Sequence, residues 1–144
     1  MNIGEAARLS GVTAKMIRYY ESVGLLAAKA RTSSGYRIYG KAEVEALCFI
    51  RRARRLGFLV DDIRQLLMLW RDGSRSSAEV KRIALEQIAD LDLRIAELTV
   101  MRDNLVQLAR QCHGDEGAEC SIIDGLADRA GLPGGAHHGA RSSE

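Results

Sequence analysis

The spacing of apolar residues divides the chain near residue 76. Before it, short amphipathic runs are separated by glycine. Ile3–Leu9, Ala14 to about Ser22, Lys41 to about Leu56 and Val60 to about Trp70 each carry apolar residues at helical spacing. Asn2 and Thr13 stand where side-chain caps are needed, and Gly11, Gly24 and Gly57 stand where helices stop. Between Ala27 and Gly40 the pattern changes to two short strands around Arg31-Thr-Ser-Ser-Gly35, with Tyr36-Arg-Ile-Tyr39 alternating as a strand does. After residue 76 the chain runs to Gln111 without Gly or Pro. That run predicts one helix of about 34 residues, roughly 50 Å long. Ala84, Ile88, Leu91, Ile95, Leu98, Leu105 and Ala109 fall on alternating steps of four and three, with Arg102 at the one interrupted position. A repeat near 3.5 sustained over that length is a coiled-coil seam. A lone helix cannot bury such a stripe, so the pattern asks for a partner.

Two short helices joined through Ser10-Gly11-Val12 make a helix-turn-helix pattern, and the strands that follow make a wing. In that arrangement the second helix enters the DNA major groove with its N-terminal residues foremost. Thr13, Lys15, Arg18, Tyr19 and Tyr20 are therefore candidate contacts, with a phosphate as the expected partner of the Tyr20 hydroxyl. Arg31, Tyr36 and Arg37 on the wing and Arg54 in the basic cluster of the third helix complete the set. Charge supports the reading. Residues 1–75 carry 14 Lys+Arg against 7 Asp+Glu, whereas residues 76–144 are net −5. The first half has the footprint of a polyanion binder. The expected organisation is a DNA-binding domain over 1–70, a linker over 71–76, a dimerisation helix over 77–111, a metal-binding loop and short helix over 112–130, and a disordered tail over 131–144 that includes His137 and His138.

Composition narrows the class. With 144 residues, 47% hydrophobic and 28% charged, the chain has room for one small domain plus an appendage. No run is long and apolar enough for a membrane span, no secretory signal is visible, and three cysteines argue for reduced thiols, so a cytoplasmic protein is expected. No Ser/His/Asp set, carboxylate dyad or phosphate loop supports an enzyme. The remaining chemistry lies in Cys112-His-Gly-Asp-Glu-Gly-Ala-Glu-Cys120. Its spacing matches no Cys-x-x-Cys motif, but Gly114 and Gly117 permit the sulfurs to converge. Two thiolates suit a soft monovalent ion such as Cu(I), Ag(I) or Au(I). A four-coordinate Zn(II) site needs two more donors, available from His113, Asp115, Glu116 and Glu119. A reversible disulfide is a third use of the same pair, and simple metal buffering a fourth.

The segments Ile3-Gly-Glu-Ala-Ala7, Val12-Thr13, Ile17-Arg-Tyr-Tyr-Glu21, Gly24-Leu-Leu26 and Gly35-Tyr-Arg37 together resemble the MerR family of transcription regulators. The second half is most similar to the copper(I)-responsive, CueR-type branch. The resemblance implies a mostly α fold: a winged helix-turn-helix domain, a long antiparallel coiled-coil dimerisation helix and a C-terminal metal-binding loop. It implies a homodimer on double-stranded promoter DNA with an overlong spacer, which the metal-bound form distorts so that RNA polymerase uses both promoter elements. In divalent-metal members the position of Ser77, read here as the N-cap of the long helix, resembles a third cysteine reaching across the dimer. Ser77 thus implies selection for a monovalent ion. Copper-sensing relatives commonly have Pro after each cysteine, where this chain has His113 and Ser121. That departure makes His113 a candidate extra ligand.

Overall fold

The computed structural model describes residues 1–127. Six helices and one two-stranded sheet follow in the order α1 (Ile3–Ser10), α2 (Ala14–Ser22), β1 (Ala30–Arg31), β2 (Arg37–Ile38), α3 (Lys41–Arg55), α4 (Val60–Arg71), α5 (Ser77–Gln111) and α6 (Ser121–Ala127). The fold is mostly α, with a helix-turn-helix, a wing and a long helix. The expected tail and its histidines, and the end of the expected 112–130 segment, lie outside the described residues. Among the described residues no helix is long and apolar enough to cross a membrane.

Residues Met1–Ala89 form one compact unit. Asn2 caps α1, its side chain accepting from the Glu5 N–H at 2.9 Å, and Thr13 caps α2 through the Met16 N–H at 3.2 Å. Gly11 closes α1 at φ +76, a left-handed conformation that glycine reaches without strain. The sheet is antiparallel, pairing Ala30 with Ile38 and Arg31 with Arg37. Ala6, Ile17, Tyr20, Leu25, Tyr39, Leu47, Ile50, Ile63 and Leu67 are buried together, so helices and wing share one core. Phe49 and Trp70 stack beside it with centroids 4.6 Å apart. Cys48 is half-buried, its Sγ 4.0 Å from the Ser10 carbonyl.

The first turns of α5 belong to this unit. Ile83 is buried in its core, and the Gln87 amide donates to the Leu56 carbonyl at 2.9 Å. The start of α5 corrects one expectation. Ser76, not Ser77, caps it, because the Ser76 Oγ accepts from the Ala78 N–H at 3.2 Å, and Ser77 is the first helical residue. The second unit starts at Asp90. Its part of α5 exposes Leu91, Ile95, Leu98 and Leu105, four of the seam residues, and Ile95 and Leu98 are each 61% accessible.

Candidate DNA interface and thiol site

Helix phase decides which side chains of α2 face outward. Ile17 and Tyr20, three residues apart, point into the core. Lys15, Arg18 and Tyr19 lie on the exposed face. This corrects the expectation for Tyr20. At 5% exposure it is a packing residue, and Tyr19, 45% exposed, is the tyrosine that α2 offers to a partner. Thr13 is exposed, but its hydroxyl is already used as the helix cap.

On the wing, Arg31 is exposed and one of its guanidinium nitrogens donates to the Gly35 carbonyl at 2.9 Å, bracing the loop tip. Tyr36 is 73% exposed. Arg37 is half-buried, its Nε 3.2 Å from a Glu21 carboxylate oxygen, a charge contact without hydrogen-bond alignment. The other Glu21 oxygen accepts from the Tyr39 hydroxyl at 2.5 Å. Glu21 of α2 thus holds both Arg37 and Tyr39, which fixes the wing against the recognition helix. Burial, followed by the Glu21 carboxylate, pushes the Tyr39 hydroxyl up to about 12. Arg54 is exposed near the end of α3, and its guanidinium donates to the Phe58 carbonyl at 3.1 Å. Lys15, Arg18, Tyr19, Arg31, Tyr36 and Arg54 are therefore all exposed, while Arg37 is committed mainly to Glu21.

The thiol site is built at the end of α5. Cys112 follows its last turn, and Cys120 directly precedes α6. Gly114, at φ +70, takes the turn that lets the chain reverse, and the Asp115 carboxylate accepts from the Gly117 N–H at 2.8 Å. The two sulfurs come within 3.7 Å as free thiols. Backbone N–H groups of α6, Ile123 foremost, and the Cys112 thiol hold the Cys120 thiol below its ordinary range, favouring the thiolate that binds metal. His113 is exposed, and among the described residues no group of three or more His, Cys, Asp or Glu side chains is placed to hold an ion. His113 is not brought onto the pair.

Ser121, noted in the sequence only as a departure from the Pro of copper-sensing relatives, and Gly125, not singled out there, both shape this site. The Ser121 hydroxyl donates to the Leu108 carbonyl at 3.1 Å, tying the Cys120 end of the loop to α5. A Cβ on Gly125 would lie 2.7 Å from a Leu108 methyl, so glycine allows α6 to lie close to α5. Ser77 lines a shallow groove with Gly73, Arg75, Val80, Lys81 and Ala84, within the first unit.

Two family models match, one described as "MerR HTH family regulatory protein" over residues 1–69 and one as "MerR, DNA binding" over residues 44–108. The chain is 53% identical over 131 residues to the transcriptional regulator HmrR of Sinorhizobium medicae, covering 91% of this chain and 89% of the relative. It is 40% identical over 141 residues to the transcriptional regulator CueR of Salmonella typhimurium, covering 98% of each. Among solved structures, the lead(II) complex of the transcription regulator PbrR691 from Ralstonia metallidurans superposes with a TM-score of 0.75 at 33% identity, covering 88% of this chain and 98% of that one. The winged helix-turn-helix, its exposed basic face and these matches lead to one conclusion: the chain belongs to the MerR family and is a DNA-binding transcription regulator, not an enzyme.

Proposed function

We propose that this regulator senses Cu(I), with Ag(I) and Au(I) as alternative inducers, through Cys112 and Cys120, and activates copper-efflux or detoxification promoters. The observation that carries the reading is a convergent thiol pair, 3.7 Å apart, with no further ligand group clustered on it among the described residues. Two thiolates complete the shell of a soft monovalent ion, whereas a divalent ion needs one or two donors more. The similarity to CueR over nearly the whole chain supports the same choice.

In this reading the chain acts as a homodimer. The exposed apolar residues of α5 are the seam of an antiparallel coiled coil, which brings Ser77 of one subunit near the thiol loop of the other. Two thiolates and a +1 ion leave a net charge of −1, which the positive end of the partner's α5 offsets. Serine at position 77 supplies no third thiolate, and so disfavours divalent ions. Metal binding then changes the geometry that the dimer imposes on promoter DNA, and RNA polymerase reads the distorted promoter.

A divalent-metal sensor is the second reading. The sulfur spacing itself favours it: at about 2.3 Å per bond, a tetrahedral S–M–S angle spans about 3.8 Å and a linear one about 4.6 Å. The lead(II) complex of PbrR691 concerns a relative of similar fold. Donor count outweighs spacing here, because glycines at Gly114 and Gly117 let the loop open by less than 1 Å at little cost.

Reporter transcription from the regulated promoter tests the reading. Cu(I) is expected to induce the wild type, and Cys112→Ser and Cys120→Ser to abolish induction while DNA binding survives. Normal copper induction in Cys112→Ser overturns the site assignment. Induction by Zn(II) or Pb(II) alone selects the second reading, and induction by an oxidant, with a Cys112–Cys120 disulfide in the mass spectrum, selects redox sensing.

A further inference from the structure

We propose that Gln87 is a positioning residue that couples α5 to the DNA-reading face through the turn between α3 and α4, an inference that rests on the sensing role proposed above. Ile83 and Gln87 are the buried residues of α5 among those described, and they lie one turn apart on one face. Ile83 packs in an apolar core, a contact that tolerates sliding. Gln87 makes a directional bond: its Nε2 donates at 2.9 Å to the carbonyl of Leu56, 31 residues away. Leu56 is the C-cap of α3, where backbone carbonyls have no intrahelical donor. Gln87 therefore supplies a hydrogen bond that the helix end itself lacks.

The same turn carries an exposed cation, the candidate DNA contact Arg54. Arg54 donates to the Phe58 carbonyl across it at 3.1 Å, and the Phe58 N–H returns to the Ala53 carbonyl at 3.2 Å. A rotation of α5 that moves the Gln87 amide must either break its bond or carry Leu56, and with it the Arg54 end of α3. α5 runs as one helix from Ser77 to Gln111, so the residue that carries this amide and the residues leading to the thiol loop belong to the same element. A side chain of the same volume without a donor would leave the packing and remove the link.

Two measurements on full-length Gln87→Met, with Ile83→Val as control, test this. In the first, promoter affinity of the metal-free protein is expected to stay within about twofold of wild type while metal induction falls about fivefold. Ile83→Val is expected to lower thermal stability and leave the induction ratio unchanged. Equal loss of affinity in the metal-free and metal-loaded states, or an unchanged induction ratio, overturns the proposal. In the second, hydrogen exchange of the metal-free protein on DNA is expected to speed up about tenfold at residues 56–60 in Gln87→Met and to stay constant over α1 and α2. No change at that turn overturns the proposal, whatever the metal result. A wild type that responds to no metal overturns the sensing role instead and leaves the exchange measurement to decide this one.

Discussion

Removing one hydroxyl, in Tyr39→Phe, tests how the wing is held. Tyr39 is fully buried, and its hydroxyl donates to Glu21, whose side chain is only 13% accessible. A hydrogen bond to a charged acceptor contributes roughly 1.5–3 kcal/mol. Arg37 remains 3.2 Å from the same carboxylate in the variant, so Glu21 keeps its counter-charge and the loss falls at the lower end, about 1.5–2 kcal/mol. For a unit of this size that lowers Tm by roughly 10 °C. The alkaline side gives an independent check with a definite sign. The folded hydroxyl titrates near 12 and the unfolded one near 10, so the folded state holds its proton more tightly. The resulting stability is fully present below pH 10 and is lost as pH rises towards 12. Calorimetry or chemical denaturation across pH 7–12 should show the wild-type advantage over Tyr39→Phe constant to about pH 10 and shrinking above it. Promoter affinity should fall with it, since Arg31 and Tyr36 ride on the wing that Tyr39 anchors. Equal stability at neutral pH, or an advantage that grows above pH 10, would refute the argument.

Other predictions follow from single residues. Arg18→Ala removes one exposed cation of α2 per chain, two in the proposed homodimer, and the slope of log affinity against log salt should shrink by about 1.8, measured by fluorescence anisotropy. Leu98→Asp places a charge in the exposed stripe of α5. In the proposed homodimer both Leu98 side chains, 61% accessible in the single chain, are covered at the seam, and losing the two at roughly 1.5 kcal/mol each should weaken dimerisation about a hundredfold, which sedimentation equilibrium would detect. Ser77→Cys adds a thiolate where the proposed dimer places the partner's metal loop, so the ratio of divalent to Cu(I) affinity should rise in competition titrations.

The helices of the first unit were legible because apolar spacing agrees with side-chain caps at the starts of α1 and α2 and with glycines just after α1, α2 and α3. Asn2, Thr13, Gly11 and Gly57 act as their residue types predict. Tyr20 was misread because adjacent tyrosines look alike as letters. Only the phase set by Ile17 separates the packed ring from the exposed one. The cap of α5 slipped by one residue because Ser76 and Ser77 are chemically identical candidates, and hydrogen-bond geometry alone distinguishes them. The long seam hid a second surface. Ile83 and Gln87 sit one residue before Ala84 and Ile88, about 100° around the helix, and a polar Gln87 gives no hydrophobic signal of burial. The convergence of the two thiols was readable from loop glycines and cysteine spacing. The bracing of that loop by Ser121 and Gly125 was not, because it depends on contacts with Leu108, more than ten residues back in the chain.

X-ray absorption on the Cu(I)-loaded protein tests the central claim most directly. The thiol site described here predicts a first shell of two sulfurs and nothing else, lost in Cys112→Ser. A nitrogen shell from His113, or three or four ligands about the metal, would contradict it.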